Sequence, residues 1–317
     1  MDQTTLIINR VVPIILLIAL GYWIRRSRFL AENTVDDLRK IVVNLALPAV
    51  LFISFLNLEL KTEYIAIFVT IFGVCVAMLV LGWGLKRRLS VQREYFPFLM
   101  TGFEYGMLGV SLFGSAYGLE NIGYIALMDL GHELFIWFVF LGLLLMKRDS
   151  LTHPRQILSA FITSPVIIGI LAGIGLNLLG ARDFLYDSAG TGGIMATLEF
   201  LSNMTIPLIL IIVGYGIRFD RHGMREAALV TGIRLAIVIP LALLLNAVLI
   251  RGLLGLGKPF EAGLFTLLIL PPPFIIPLYM RPGPSEERRY VNNTLTFHTV
   301  VSIVIYAVYF ILNPELF

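Results

Sequence analysis

The sequence predicts an all-α polytopic membrane protein of ten transmembrane helices, arranged as two inverted five-helix repeats in which helices four and nine are broken. Three observations lead there. The 317 residues are 58% hydrophobic and 14% charged, against about 25% charged in a soluble domain. Apolar runs near the roughly 20 residues that cross a bilayer recur along the whole chain. The stretch ILPPPFIIPLYM, Ile269 to Met280, places four prolines inside one of those runs, where an unbroken helix cannot hold them.

Taken in order, the runs fall at about 5–24, 38–57, 64–85, 95–118 and 121–146, then at about 157–180, 194–217, 226–250, 261–280 and 291–312. The first has no cationic stretch before it and no small-residue cleavage site after it, so it reads as a retained span. No connection is long enough for a soluble domain. The halves, 1–150 and 151–317, are the expected repeats. Odd-numbered connections hold eighteen Lys and Arg, whereas the even ones hold only Lys61, Arg182, Arg251 and Lys258. That alternation predicts both termini on the non-cytoplasmic side of a plasma (inner) membrane.

Five spans per half is an odd number, so duplicated halves must be inverted. Asn44 and Pro48 in the second run match Asn203 and Pro207 in the seventh, and Pro13 with Gly21 in the first match Pro165 with Gly173 in the sixth. The fourth run, FPFLMTGFEYGMLG, is glycine-rich around Gly102, Gly106 and Gly109. Its partner in the repeat is the proline-rich ninth. Interrupted spans at corresponding positions of inverted halves mark a transporter binding site, since non-helical backbone at that depth survives only against protein or a water-filled cavity. Pro271 to Pro273 are expected to make the break, with Pro277 in the first turns of a restarted half-helix.

Ionisable residues within spans face the protein interior and are functional candidates. Glu104 lies beside the expected break, as a proton- or cation-binding carboxylate or as a cap for freed backbone donors. Asp129, His132 and Glu133 share one helical face by their i, i+3, i+4 spacing, as a relay or as a structural cluster. A metal cage is not expected, because no second cluster has ligand spacing. Arg234 is expected to neutralise a carboxylate, since buried charges need partners, or else to attract an anionic substrate. Asn44 and Asn203 each precede a proline by one turn, where the freed carbonyl is their own. They offer substrate or ion coordination, or local repair of a kink. Cys75 has no partner, and His298 reads as a structural histidine.

The segments LIALGYWIRRSRFL, IVVNLALPAVLF and MDLGHELFIW, with the glycine-rich fourth span, resemble the auxin efflux carrier family, which includes plant PIN transporters and bacterial malate or malonate permease-like proteins. The resemblance implies ten helices in two inverted repeats, with helices four and nine broken and crossing near the substrate site. It also implies a substrate site at Gly102, Tyr105, Gly106 and their neighbours to Gly109, at Pro271, Pro272 and Pro273, and at Asn203. Bile acid:sodium symporters share this architecture, so a proton and a sodium ion both stand as coupling ions. Glu104 and the triple proline depart from the family's usual uncharged residue and single proline. The expected function is secondary transport of a small organic anion by alternating access, with a non-transporting sensor as the alternative. Neither HExxH, GxSxG nor a Walker loop occurs, so no enzyme is expected. The expected partners are the anion, the bilayer and a second copy in a homodimer, without cofactor, metal or nucleic acid.

Overall fold

Helices account for nearly all regular structure in the computed structural model, which describes residues 3–149, 154–218, 223–280 and 285–315; none of these lies in a strand. Where lipid replaces water, backbone hydrogen bonds must close within the protein, and a helix does this inside one segment. Among the described residues, seven helical stretches are long and apolar enough to cross a membrane. The chain is a multi-pass integral membrane protein.

The helix α1 (Gln3–Arg26) accommodates Pro13. Next, α2 (Glu32–Ile41) passes through a wide π-helical turn, Val42–Ala46, into α3 (Leu47–Asn57). After α4 (Tyr64–Arg88), the fourth run divides into α5 (Phe96–Leu99), a non-helical gap, a π-helical turn Tyr105–Gly109 and α6 (Val110–Tyr117). The fifth comprises α7 (Ile122–Leu134), the π-helical stretch Phe135–Phe140 and α8 (Leu141–Asp149).

In the second half, α9 (Pro154–Ile162) and α10 (Pro165–Leu178) make up the sixth run, parted just before Pro165 because the residue ahead of a proline is driven out of the helical region. A short α11 (Arg182–Asp187) leads into α12 (Ala189–Gly216). Then α13 (Met224–Leu245) continues through Asn246–Leu253. The ninth run is α14 (Lys258–Ile269) followed by a 3-10 turn, Ile276–Leu278. The last is α15 (Ser285–Leu312). Pro277 is a correction: it sits in that single 3-10 turn rather than in a restarted half-helix. The half boundary expected at 150/151 lies outside the described residues.

The helices pack in two groups, each drawing on both halves of the chain. In one, α1 lies against α12 and α3 against α10; in the other, α4 packs on α7, α14 on α7, and α13 on α15. Large apolar residues such as Leu16, Val69, Phe200 and Val248 face outward, as the lipid face of a membrane protein requires. Within the first group the backbones nearly touch, because glycines occupy the contacts. A Cβ on Gly21 would collide with the Ile211 carbonyl oxygen, and one on Gly173 would fall 2.6 Å from that of Phe52. Ile211 lies four residues after Pro207, and Phe52 four after Pro48.

Replacing Gly173 by Val should therefore part α3 from α10 at a cost of about 1–3 kcal/mol. A melting curve in detergent, followed by size-exclusion chromatography, should fall by roughly 5 °C. Gly84→Ala, which has open space around its Cβ position, should leave it unchanged.

Candidate functional site

The two interrupted segments meet where both have left the helix. The first leaves at Met100, and Gly102 takes a φ of +68°, a region that costs a residue with Cβ about 1–2 kcal/mol. Space makes the same demand, since a Cβ there would fall 2.7 Å from the Pro273 ring. The second leaves after Ile269, where Leu270 becomes extended (φ −62°, ψ 151°) ahead of Pro271. Pro271 to Pro273 have no N–H to donate. Among the described residues a single backbone bond joins the two segments, from the Glu104 N–H to the Pro271 carbonyl at 2.8 Å.

Two side chains gather the groups that the breaks set free. Arg234 on α13 is fully buried, and its guanidinium donates to four carbonyls drawn from both segments. Nη1 reaches Leu99 at 2.9 Å and Thr101 at 3.3 Å, while Nη2 reaches Gly102 at 2.5 Å and Leu270 at 3.2 Å. The expected carboxylate partner is corrected here: among the described residues Arg234 forms no ion pair. Carbonyls stripped of helical partners demand donors, and the guanidinium fork supplies several at fixed geometry.

Glu104 serves the donors. Its Oε1 accepts from the Met107 N–H at 3.3 Å and its Oε2 from the Phe274 N–H at 2.6 Å, so one carboxylate takes a donor from each segment.

The face of Asp129, His132 and Glu133 splits into two roles. The Phe103 N–H donates to His132 Nε2 at 2.9 Å, which fixes the proton on Nδ1; Nδ1 then donates to Asp129 Oδ1 at 2.8 Å. His132 is thereby a neutral brace for the crossing. The ligand atoms of the three residues lie within 4.8 Å of one another, yet with both ring nitrogens engaged His132 has no lone pair for a metal. Glu133 accepts from Trp137 Nε1 at 2.9 Å.

A cavity of about 720 Å³ runs from Glu32, Asp36, Arg39 and Arg218 at the helix ends to the crossing. Its wall brings together Glu104, Tyr105, Gly106, His132, Glu133 and Pro273, whereas Gly102, Pro271, Pro272, Asp129 and Arg234 are not among its lining residues. Asn44 and Asn203 are corrections. The wide turn Val42–Ala46 directs Val43 and Leu47 to the cavity and leaves Asn44 exposed, with its amide donating to Lys40 O at 2.8 Å. In α12, which runs unbroken through Pro207, Asn203 is exposed, and Ile212, Val213 and Tyr215 line the cavity.

Asn292, Thr296 and Thr299 on α15 also line it, unforeseen although their i, i+4, i+7 spacing marks one helical face. The Phe274 N–H was missed as well. It is the first backbone donor after three prolines, a signal visible in the sequence.

The family model described as "Membrane transport protein" matches residues 6–310. The chain belongs to that family, in keeping with the auxin efflux carrier resemblance. An "Uncharacterized transporter" of Methanothermobacter thermautotrophicus is 28% identical over 234 residues, covering 72% of this chain and 74% of that protein. Family and relative alike point to a transporter rather than an enzyme.

For this membrane transport protein, Arg234→Gln should leave carbonyls of both segments unpaired at about 1–3 kcal/mol each. Melting in detergent should fall by about 10 °C or more. Arg234→Lys, with three donors, should fall between the two.

Proposed function

We propose that the protein is a secondary transporter of a small organic anion, a carboxylate, moved by alternating access around the crossing of the fourth and ninth spans. One observation carries the reading. At the inner end of the cavity, backbone donors from two different segments converge on a single carboxylate, so the crossing has the donor arrangement of a carboxylate seat. Backbone N–H groups at the start of a helical segment bind anions without a full cation, and Met107 lies in the first turn of the stretch from Tyr105 to Tyr117.

The ten apolar runs and the mirrored glycine contacts support the ten-helix inverted repeat, with 1–150 and 151–317 as its halves. Gly21 of the first span meets the seventh four residues past Pro207, as Gly173 of the sixth meets the second four residues past Pro48. The basic connections support a topology with both termini outside the cytoplasm. The cavity mouth carries Arg39 and Arg218 from that basic side, which supports reading this conformation as inward-facing. Alternating access would move one helix group past the other. Arg234 holds carbonyls that could otherwise ligate sodium, which favours a proton as the coupling ion.

A second reading rests on Glu104 and Glu133, two carboxylates on one cavity wall: the substrate would then be cationic. The test is uptake into proteoliposomes of labelled acetate, succinate and malonate, with choline and putrescine in parallel, under imposed pH and sodium gradients. We expect saturable uptake of at least one carboxylate, unchanged when potassium replaces sodium. Uptake confined to the amines would favour the second reading, and no flux under any gradient would defeat both.

A further inference from the structure

We infer that the Glu104 side chain is a tethered occupant of the carboxylate seat, displaced by the transported anion and protonated when displaced, so that each monocarboxylate is accompanied by one proton. This rests on the carboxylate reading above.

The donors at the crossing are few, and those that can be traced are engaged. Pro271 to Pro273 have none. The N–H of Glu104 goes to Pro271, that of Phe103 to His132 and that of Tyr105 back to Phe103, while Met107 and Phe274 both give theirs to the Glu104 carboxylate. A carboxylate arriving from the cavity finds its two donors taken by a carboxylate already in place. The occupant is on the end of a three-bond side chain in the cavity wall, so it can swing aside while the backbone donors stay fixed.

Charge requires the proton. The ionisable groups around Glu104 are Glu133 and His132 on the cavity wall, Asp129 behind His132, Arg39 toward the mouth and Arg234 behind the crossing. From α15 the wall receives the uncharged Asn292, Leu295, Thr296 and Thr299, and His298 is buried. Arg234 is fixed on carbonyls, and His132 is held neutral by its two hydrogen bonds. An incoming anion beside ionised Glu104 and Glu133 would therefore meet like charge in a site of low dielectric. The balanced step takes the anion and one proton from the cavity water. The anion accepts the two N–H bonds, Glu104 becomes a neutral acid, and the charge of the site is unchanged. Release on the other side reverses both, so net transport of a monocarboxylate carries no charge.

Formate, the bare head group of Glu104, is the probe. In purified Glu104→Ala the seat is vacant, and formate at tens of millimolar should raise the melting temperature at pH 8 by several degrees beyond equal chloride. Wild type should not respond at pH 8 and should respond at pH 5. If the Ala variant does not fold, Glu104→Gln serves: its formate affinity should be level from pH 5 to pH 8, while that of wild type falls up to tenfold per pH unit. A Glu104→Ala response no larger than chloride gives, or identical pH profiles for wild type and Glu104→Gln, overturns the assignment. A formate response without any uptake would instead remove transport and leave the seat. Uptake without a formate response would remove the tethered occupant and leave the transporter.

Discussion

Everything at the centre of this protein depends on the guanidinium of Arg234 and the four carbonyls it gathers from two broken spans. In a bilayer an unpaired backbone group costs several kcal/mol, and two helices interrupted at the same place leave many of them. The surrounding side chains answer one by one. Ser302 Oγ donates to the Ile269 carbonyl at 2.6 Å, and His132 and Glu104 accept the freed N–H groups. The acceptors are met largely by one buried cation and the donors by one carboxylate and one imidazole. Charge thereby holds a backbone geometry that hydrophobic packing alone would not maintain.

This accounting also separates support from site. Asp129, Arg234, Pro271 and Pro272 work from behind, fixing the strands, while Glu104, Tyr105, Gly106, Glu133 and the α15 face of Asn292, Thr296 and Thr299 line the space where a substrate would sit. The two helix groups meet around that space, and the crossing belongs to the group that contains α7, α13 and α14. Relative motion of the groups would carry the crossing intact, since its hydrogen bonds to Arg234 and His132 lie inside one group.

Much of this was legible in the chain. Apolar runs gave the helices, the clustered prolines and glycines gave both breaks, and Glu104 stood out as a carboxylate beside one of them. The misreadings have a common origin, in that sequence displays side chains and hides backbone demand. Arg234 looked like half of an ion pair because carbonyls carry no letter of their own. Asn44 stands out in the sequence by its place one turn ahead of Pro48, but the wide turn Val42–Ala46 leaves it exposed. Asn203 was judged by its neighbour Pro207, although α12 absorbs that proline without a break. The Phe274 donor could have been found by asking where the first N–H follows a proline run.

The three prolines have one more effect. Irregular backbone beside irregular backbone offers free N–H and C=O groups that tend to zip into ladders. Pro271, Pro272 and Pro273 offer carbonyls but no hydrogens, and among the described residues backbone pairing with the segment around Glu104 stops at the one bond at Pro271. What binds the two spans beyond that bond is side chains, the Arg234 guanidinium and the Glu104 carboxylate, each holding both segments. A joint made of side chains can change partners without tearing a backbone ladder.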